Sequence, residues 1–247
     1  MRVLKIWVRL LLLATALMGP VLLLAAMLAS EQSDAIEFAS AERRGVEYQV
    51  AAWDVMKGLT AHRTLGAMVV AGNKSSQDAL LQSQRDVDGA LARLLTVDQT
   101  LGAEMHTTEL LTNLKADWEA MKSRSIEAGD LQAYMIAHNR LVYDMGRVII
   151  KMGNHSNLIL DPDIDTYYLM DATQFKLSRL LDQVSQIQAI GAAALARPVV
   201  DGAEGISPLE RAQVATASTR ADEYLREGVT NLEYAFDANG DLRSSLG

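Results

Sequence analysis

The segment from Leu10 to Ala29 carries no charge and is mostly Leu, Ala, Val and Met. No other feature restricts the chain as strongly. At a rise of about 1.5 Å per residue, a helix over this segment covers roughly 30 Å, the hydrocarbon thickness of a bilayer. A cleaved signal peptide has a shorter apolar region and ends in a small-x-small site. Cleavage after Ala29 or Ser30 would put Met27 or Leu28 where a small residue is needed. The segment therefore reads as an uncleaved anchor. Gly19-Pro20 is tolerated in a membrane helix. Arg2, Lys5 and Arg9 precede the apolar run, and positive charge stays in the cytoplasm. The expected layout is a cytoplasmic N-terminus over 1–9, a transmembrane helix over 10–29, and an extracytoplasmic domain over 30–247. In a Gram-negative cell that means an inner-membrane protein with a periplasmic bulk. The next most apolar stretch, around Ile190–Val200, is too short to cross and holds Arg197 and Pro198.

The rest of the chain is patterned at helical spacing. Tyr48, Ala52, Val55, Leu59 and His62 form one stripe within a helix from Glu42 to about Val70. Gly72 to Ser76 reads as a turn. Leu80, Gln84, Val87, Leu91 and Leu94 mark a second helix, with a break expected near Thr100–Gly102. Leu111, Leu114, Trp118 and Met121 mark a third, expected to end near Gly129-Asp130. Leu131 to Met152 repeats in heptads and extends toward Leu160, before Asp161-Pro162-Asp163 interrupts it. Leu177, Leu180, Leu181, Val184, Ile187 and Ile190 give a fifth helix to about Ala196. A loop over 197–208 follows. Ser207, with Pro208 next and Glu210 at the third position, caps a sixth helix that stops at Asn239-Gly240. Nothing alternates with period two. Only 5% of residues are aromatic and 4 are proline, which also favours helix. The expected fold is all-α: an N-terminal transmembrane helix leading into an antiparallel helical bundle. No helix returns after the sixth, so the bundle is expected to be truncated at its C-terminus.

Charge and composition narrow the function. Residues 31–247 carry 20 basic and 31 acidic side chains, within an overall net charge of −8. That balance does not suit nucleic acid. Absence of cysteine removes disulfides, thiolate nucleophiles and Cys-based metal sites. There is no G-x-S-x-G, P-loop or G-x-G-x-x-G, so neither an enzyme nor a cofactor is expected.

The densest polar cluster is Asp161-Pro162-Asp163-Ile164-Asp165. It fails as a calcium loop, because Thr166 and Ala172 stand where Gly and Glu are needed. Asp161 as a helix cap, Pro162 as the first helical residue, and Asp163 and Asp165 near the dipole's positive end fit better. No two of His62, His106, His138 and His155 have metal-ligand spacing, and no metal is expected. His62 and His138 lie on apolar stripes, as core histidines with one satisfied nitrogen do. Arg63 beside His62 has two readings. It could meet an acidic ligand inside the bundle, or it could reach the surface or an acid on a neighbouring helix.

The stretch Ser156-Asn157-Leu158-Ile159-Leu160-Asp161-Pro162-Asp163-Ile164-Asp165-Thr166-Tyr167-Tyr168-Leu169-Met170-Asp171 resembles the extracytoplasmic helical-bundle sensor region of bacterial methyl-accepting chemotaxis proteins and related membrane histidine kinases. Glu42 to Tyr48, with Leu59 and Ala61-His62-Arg63-Thr64, is similar to the opening helix of such regions. The resemblance implies a receptor whose bundle senses a small molecule or a periplasmic binding protein, works as a homodimer, and passes the signal through the membrane. It points to His62, Arg63, Asp161, Asp163 and Tyr168 as ligand-binding candidates. The alternatives are the sensor of a histidine kinase or nucleotide cyclase, and a standalone anchored adaptor.

Overall fold

The computed structural model describes residues 5–123, 130–160, 162–197 and 205–246. Apart from short turns the described residues are helical, with no strand. Helix α1 spans Ile6–Val70, α2 Gln77–Met105, α3 Thr108–Ser123 and α4 Leu131–His155. Next come α5 over Ile164–Met170, a π-helical stretch over Asp171–Lys176, and α6 over Leu177–Ala196. Helices α7, Pro208–Ala238, and α8, Gly240–Leu246, complete the order.

The chain divides into two compact units at Arg43–Arg44. The first unit holds the apolar part of α1, which is long and apolar enough to cross a membrane. Its leucines are exposed along the whole segment. Thr15 donates its hydroxyl to the carbonyls of Leu11 and Leu12 at 2.9 and 3.0 Å, so its polar atom is satisfied within the helix.

The second unit is a bundle built on the stripes read from the sequence. Tyr48, Val55, Leu59, Leu94, Leu111, Trp118, Met145 and Ile149 are all essentially buried in one core. Burial of this kind stabilises by roughly 1.5–3 kcal/mol per large apolar side chain. Buried polar links tie the core together. Asp98 accepts from the Tyr48 hydroxyl at 2.8 Å and the Thr107 hydroxyl at 2.6 Å. Tyr134 donates to the His62 carbonyl at 3.1 Å. Gly66 makes that last contact possible: a Cβ there would lie 1.8 Å from the Tyr134 oxygen. The Tyr134 ring thus reaches the α1 backbone where α1 has no side chain.

Helix ends depart from the sequence expectations at identifiable places. α2 runs through Thr100–Gly102 to Met105 and turns at His106, whose φ is +54°. Gly102 is a contact and not a breaker, since a Cβ there would collide with Thr108 and Asp98. α3 ends at Ser123, short of Gly129-Asp130, and 124–129 lie outside the described residues. α4 stops at His155, because Asn157 takes a left-handed φ of +63°. Asp130 caps α4 by accepting from the Ala133 amide at 2.9 Å. The capping box at Ser207 and Glu210 is present, with Pro208 opening α7 as expected. Helix α5 starts at Ile164 with Asp163 at its N-cap position, so Pro162 precedes the helix instead of opening it.

Candidate functional site

Polar side chains from α1, α3, α4 and α6 meet inside the bundle. His62 Nδ1 and His138 Nε2 lie 2.7 Å apart, with ring centroids at 4.9 Å. One ring donates and the other accepts, so the pair shares a proton. Trp118 of α3 packs edge-on against His62, centroids 4.8 Å apart, and Tyr134 lies 5.0 Å from His138. Burial holds the His62 pKa down at about 4, against the upward pull of Asp88. Burial, then the neighbouring His62 and Arg63, push His138 well below its ordinary value. Both rings are neutral at pH 7. Their outer nitrogens, His62 Nε2 and His138 Nδ1, have no hydrogen-bond partner among the described residues.

Arg63, the next residue on α1, is 0% exposed. Its guanidinium donates to the Asp182 carboxylate at 2.9 Å, the Asp182 carbonyl at 2.8 Å and Asn139 at 2.8 Å, and also to the Ser185 hydroxyl. Burial lowers its pKa and Asp182 opposes the shift, but a guanidinium remains charged. The Asp182 side chain is 27% exposed and also accepts from Gln183 and Gln186. One buried cation thus binds α1 to α6 and, through Asn139, to α4.

Asp182 has a second surroundings. It forms part of the wall of a cavity of about 400 Å³, open to solvent on one side, between α4, α6 and α7, with Met56 of α1 among its lining. Arg147, Arg179 and Arg220 reach the same cavity from three helices, as do Tyr143, Phe175 and Tyr224. Gly146 of α4 also lines it. A Cβ at Gly146 would meet nothing within 4 Å. Packing does not ask for glycine there, and a mid-helix glycine costs about 1 kcal/mol relative to Ala.

No known protein family, curated protein or solved structure matches the chain.

The residues singled out from the sequence separate into two places. His62 and Arg63 are neighbours in the buried network, and Arg63 meets an acid of another helix, the second of its two readings. Asp161 lies outside the described residues. Asp163 is exposed at the N-cap position of α5, roughly 28 Å of helix rise before Asp182. Tyr168 packs edge-on against Tyr167 and tilted against Tyr234, centroids 5.4 and 5.0 Å apart, where α5 meets α7. The other two histidines also pair, His106 and His155 having ring centroids 4.4 Å apart. Among the described residues no group of three or more His, Asp or Glu is placed to hold a metal.

The sequence reading missed Asp182 and the three cavity arginines. One signal was available for Asp182, an acid set between Leu181 and Val184 on the fifth stripe. The arginines gave none, since each is a single charge on a polar face, and only the packing brings them together.

Proposed function

We propose that this chain is the sensory part of a membrane-anchored signalling receptor of the chemotaxis-receptor kind. The observation that carries the reading is Arg63: a fully buried cation on α1, held by Asp182, which belongs to the wall of a ligand-sized cavity. A buried guanidinium that loses its carboxylate is strongly destabilised. A ligand that moves α6 therefore obliges α1 to follow. Packed helices have discrete arrangements, and a ligand that prefers one of them shifts the balance. Helix α1 is also the helix that contains the candidate membrane span. In this reading Arg2, Lys5 and Arg9 stay cytoplasmic, the bundle lies outside or in the periplasm, and the receptor is a homodimer. The sensor of a histidine kinase or cyclase would share this input and differ in output.

An adaptor reading has its own observation. Leu177, Leu225 and Val229 stay about half exposed beside a small apolar groove between α6 and α7. A protein partner, such as a binding protein, would use that face.

The test uses the full chain in lipid nanodiscs and a panel of anionic, cationic and neutral small molecules. The sensor reading expects one class to raise the melting temperature by several degrees. It also expects a changed distance between spin labels at Lys57 and Gln188, easily placed in a chain without cysteine. If no class does either, the sensor reading falls and the adaptor reading stands.

A further inference from the structure

We propose that the cavity between α4, α6 and α7 is a binding site for a small organic anion with a flat apolar body, of the class of aromatic carboxylates. The proposal rests on the sensor reading for its role, but the site itself is argued from its own geometry.

The chain carries net charge −8, yet three arginines, one from each of three helices, line this one cavity. Arg147 is engaged by Asp144 at 3.1 Å. Among the described residues Arg179 and Arg220 have no ion-pair partner. Asp182, the acid in the cavity wall, is turned to Arg63 at 2.9 Å. Two forked donors are thus left for a carboxylate, which a guanidinium meets with two parallel hydrogen bonds. The apolar half of the ligand is set by the other walls. Arg179 already lies over the Tyr224 ring, 5.8 Å from its centroid. Phe175 and Tyr143 add rings, and Met56, Val142 and Ile150 add aliphatic surface. A guanidinium held over an aromatic face binds a carboxylate while the ring meets the ligand's flat side.

Two backbone features make the room. Gly146 leaves open space at the α4 wall, with nothing within 4 Å of where a Cβ would be. Phe175 is delivered by the π-helical turn Asp171–Lys176, a distortion often found at functional sites. Both break local helix preference at one place, which is where natural sequences bend the rules for function.

The experiment measures binding of benzoate, phenylacetate, cyclohexanecarboxylate, acetate and inorganic phosphate to the full chain in nanodiscs by calorimetry. The proposal expects an aromatic carboxylate to bind at least tenfold more tightly than acetate or phosphate. It expects Arg179→Ala and Arg220→Ala each to weaken that binding tenfold or more. Gly146→Leu fills space that is open in the structure, so the variant should fold normally and lose the ligand. Arg85→Ala on α2, outside the cavity, should leave binding unchanged. Equal binding of aromatic carboxylate by wild type and all three cavity variants overturns the proposal. So does tighter binding of phosphate or acetate than of any aromatic acid. Failure of every anion, while a cation or neutral compound binds and moves α6, overturns the ligand class and leaves the sensor reading standing. Failure of every class removes both.

Discussion

At the scale of single residues, Arg63 and Asp182 are unequal partners. Arg63 has no exposed surface, whereas Asp182 keeps 27% of its side chain exposed. Removing the acid strands a buried cation; removing the cation leaves an acid that can reach water. Asp182→Asn is expected to destabilise the bundle by about 3–5 kcal/mol. Arg63→Met should cost less, about 1–3 kcal/mol. Urea unfolding of the full chain in micelles orders the two, and the reverse order would contradict the burial argument. The same residues show what the sequence conveyed. His62 stood out because a polar side chain interrupted an apolar stripe, and Arg63 because it stands next to it. Their partners His138 and Asp182 are 76 and 119 positions away, and no local pattern encodes a pairing at that separation.

At the scale of elements, side-chain caps mark the starts of α4 and α7, and positive-φ residues follow the ends of α1, α2 and α4. Ser207 accepts from the Glu210 amide, Glu210 accepts from the Ser207 amide at 2.8 Å, and Arg197 clamps the same carboxylate. The hydrogen bonds from Arg197 draw the Glu210 pKa down to about 2. Ser207→Ala should cost about 1 kcal/mol and speed hydrogen exchange in the first turn of α7 before any other helix is affected. Unchanged exchange there would show that the cap does not hold the helix start. This cap was legible because Ser-Pro-x-Glu is a local signature. The end of α2 was not, because Gly102 resembles a breaker in sequence and is a close-packing contact in space.

At the scale of the whole molecule, the buried histidines give stability a pH dependence of fixed sign. Burial holds the His62 pKa at about 4 in the fold, against an ordinary 6.5. Above pH 6.5 both folded and unfolded rings are neutral, and the stabilisation is complete. As pH falls from 6.5 toward 4, the unfolded chain takes up protons that the folded one refuses, so stability is lost. For His62 alone the loss is roughly 3 kcal/mol across that window, and His138 adds to it in the same direction. Asp54, Asp88 and Glu210 are held below their ordinary values, so their contributions disappear only at lower pH. Unfolding free energies at stepped pH should fall between 6.5 and 4, and replacing both His62 and His138 by Leu should flatten that part of the curve.

The apolar segment Leu10–Ala29, the all-helical class, the stripes that form the core and the Ser207 cap were determined by the sequence itself. Each depends on a run or a spacing within a few turns of helix, where backbone geometry places neighbours in advance. Tertiary structure alone decided that His62 meets His138, that Asp182 neutralises Arg63, and that Arg147, Arg179 and Arg220 share a cavity with Gly146. Those groups lie on different helices, and only burial of the stripes against one another brings them within reach. Burial also sets their chemistry, keeping two histidines neutral and binding an arginine to one carboxylate.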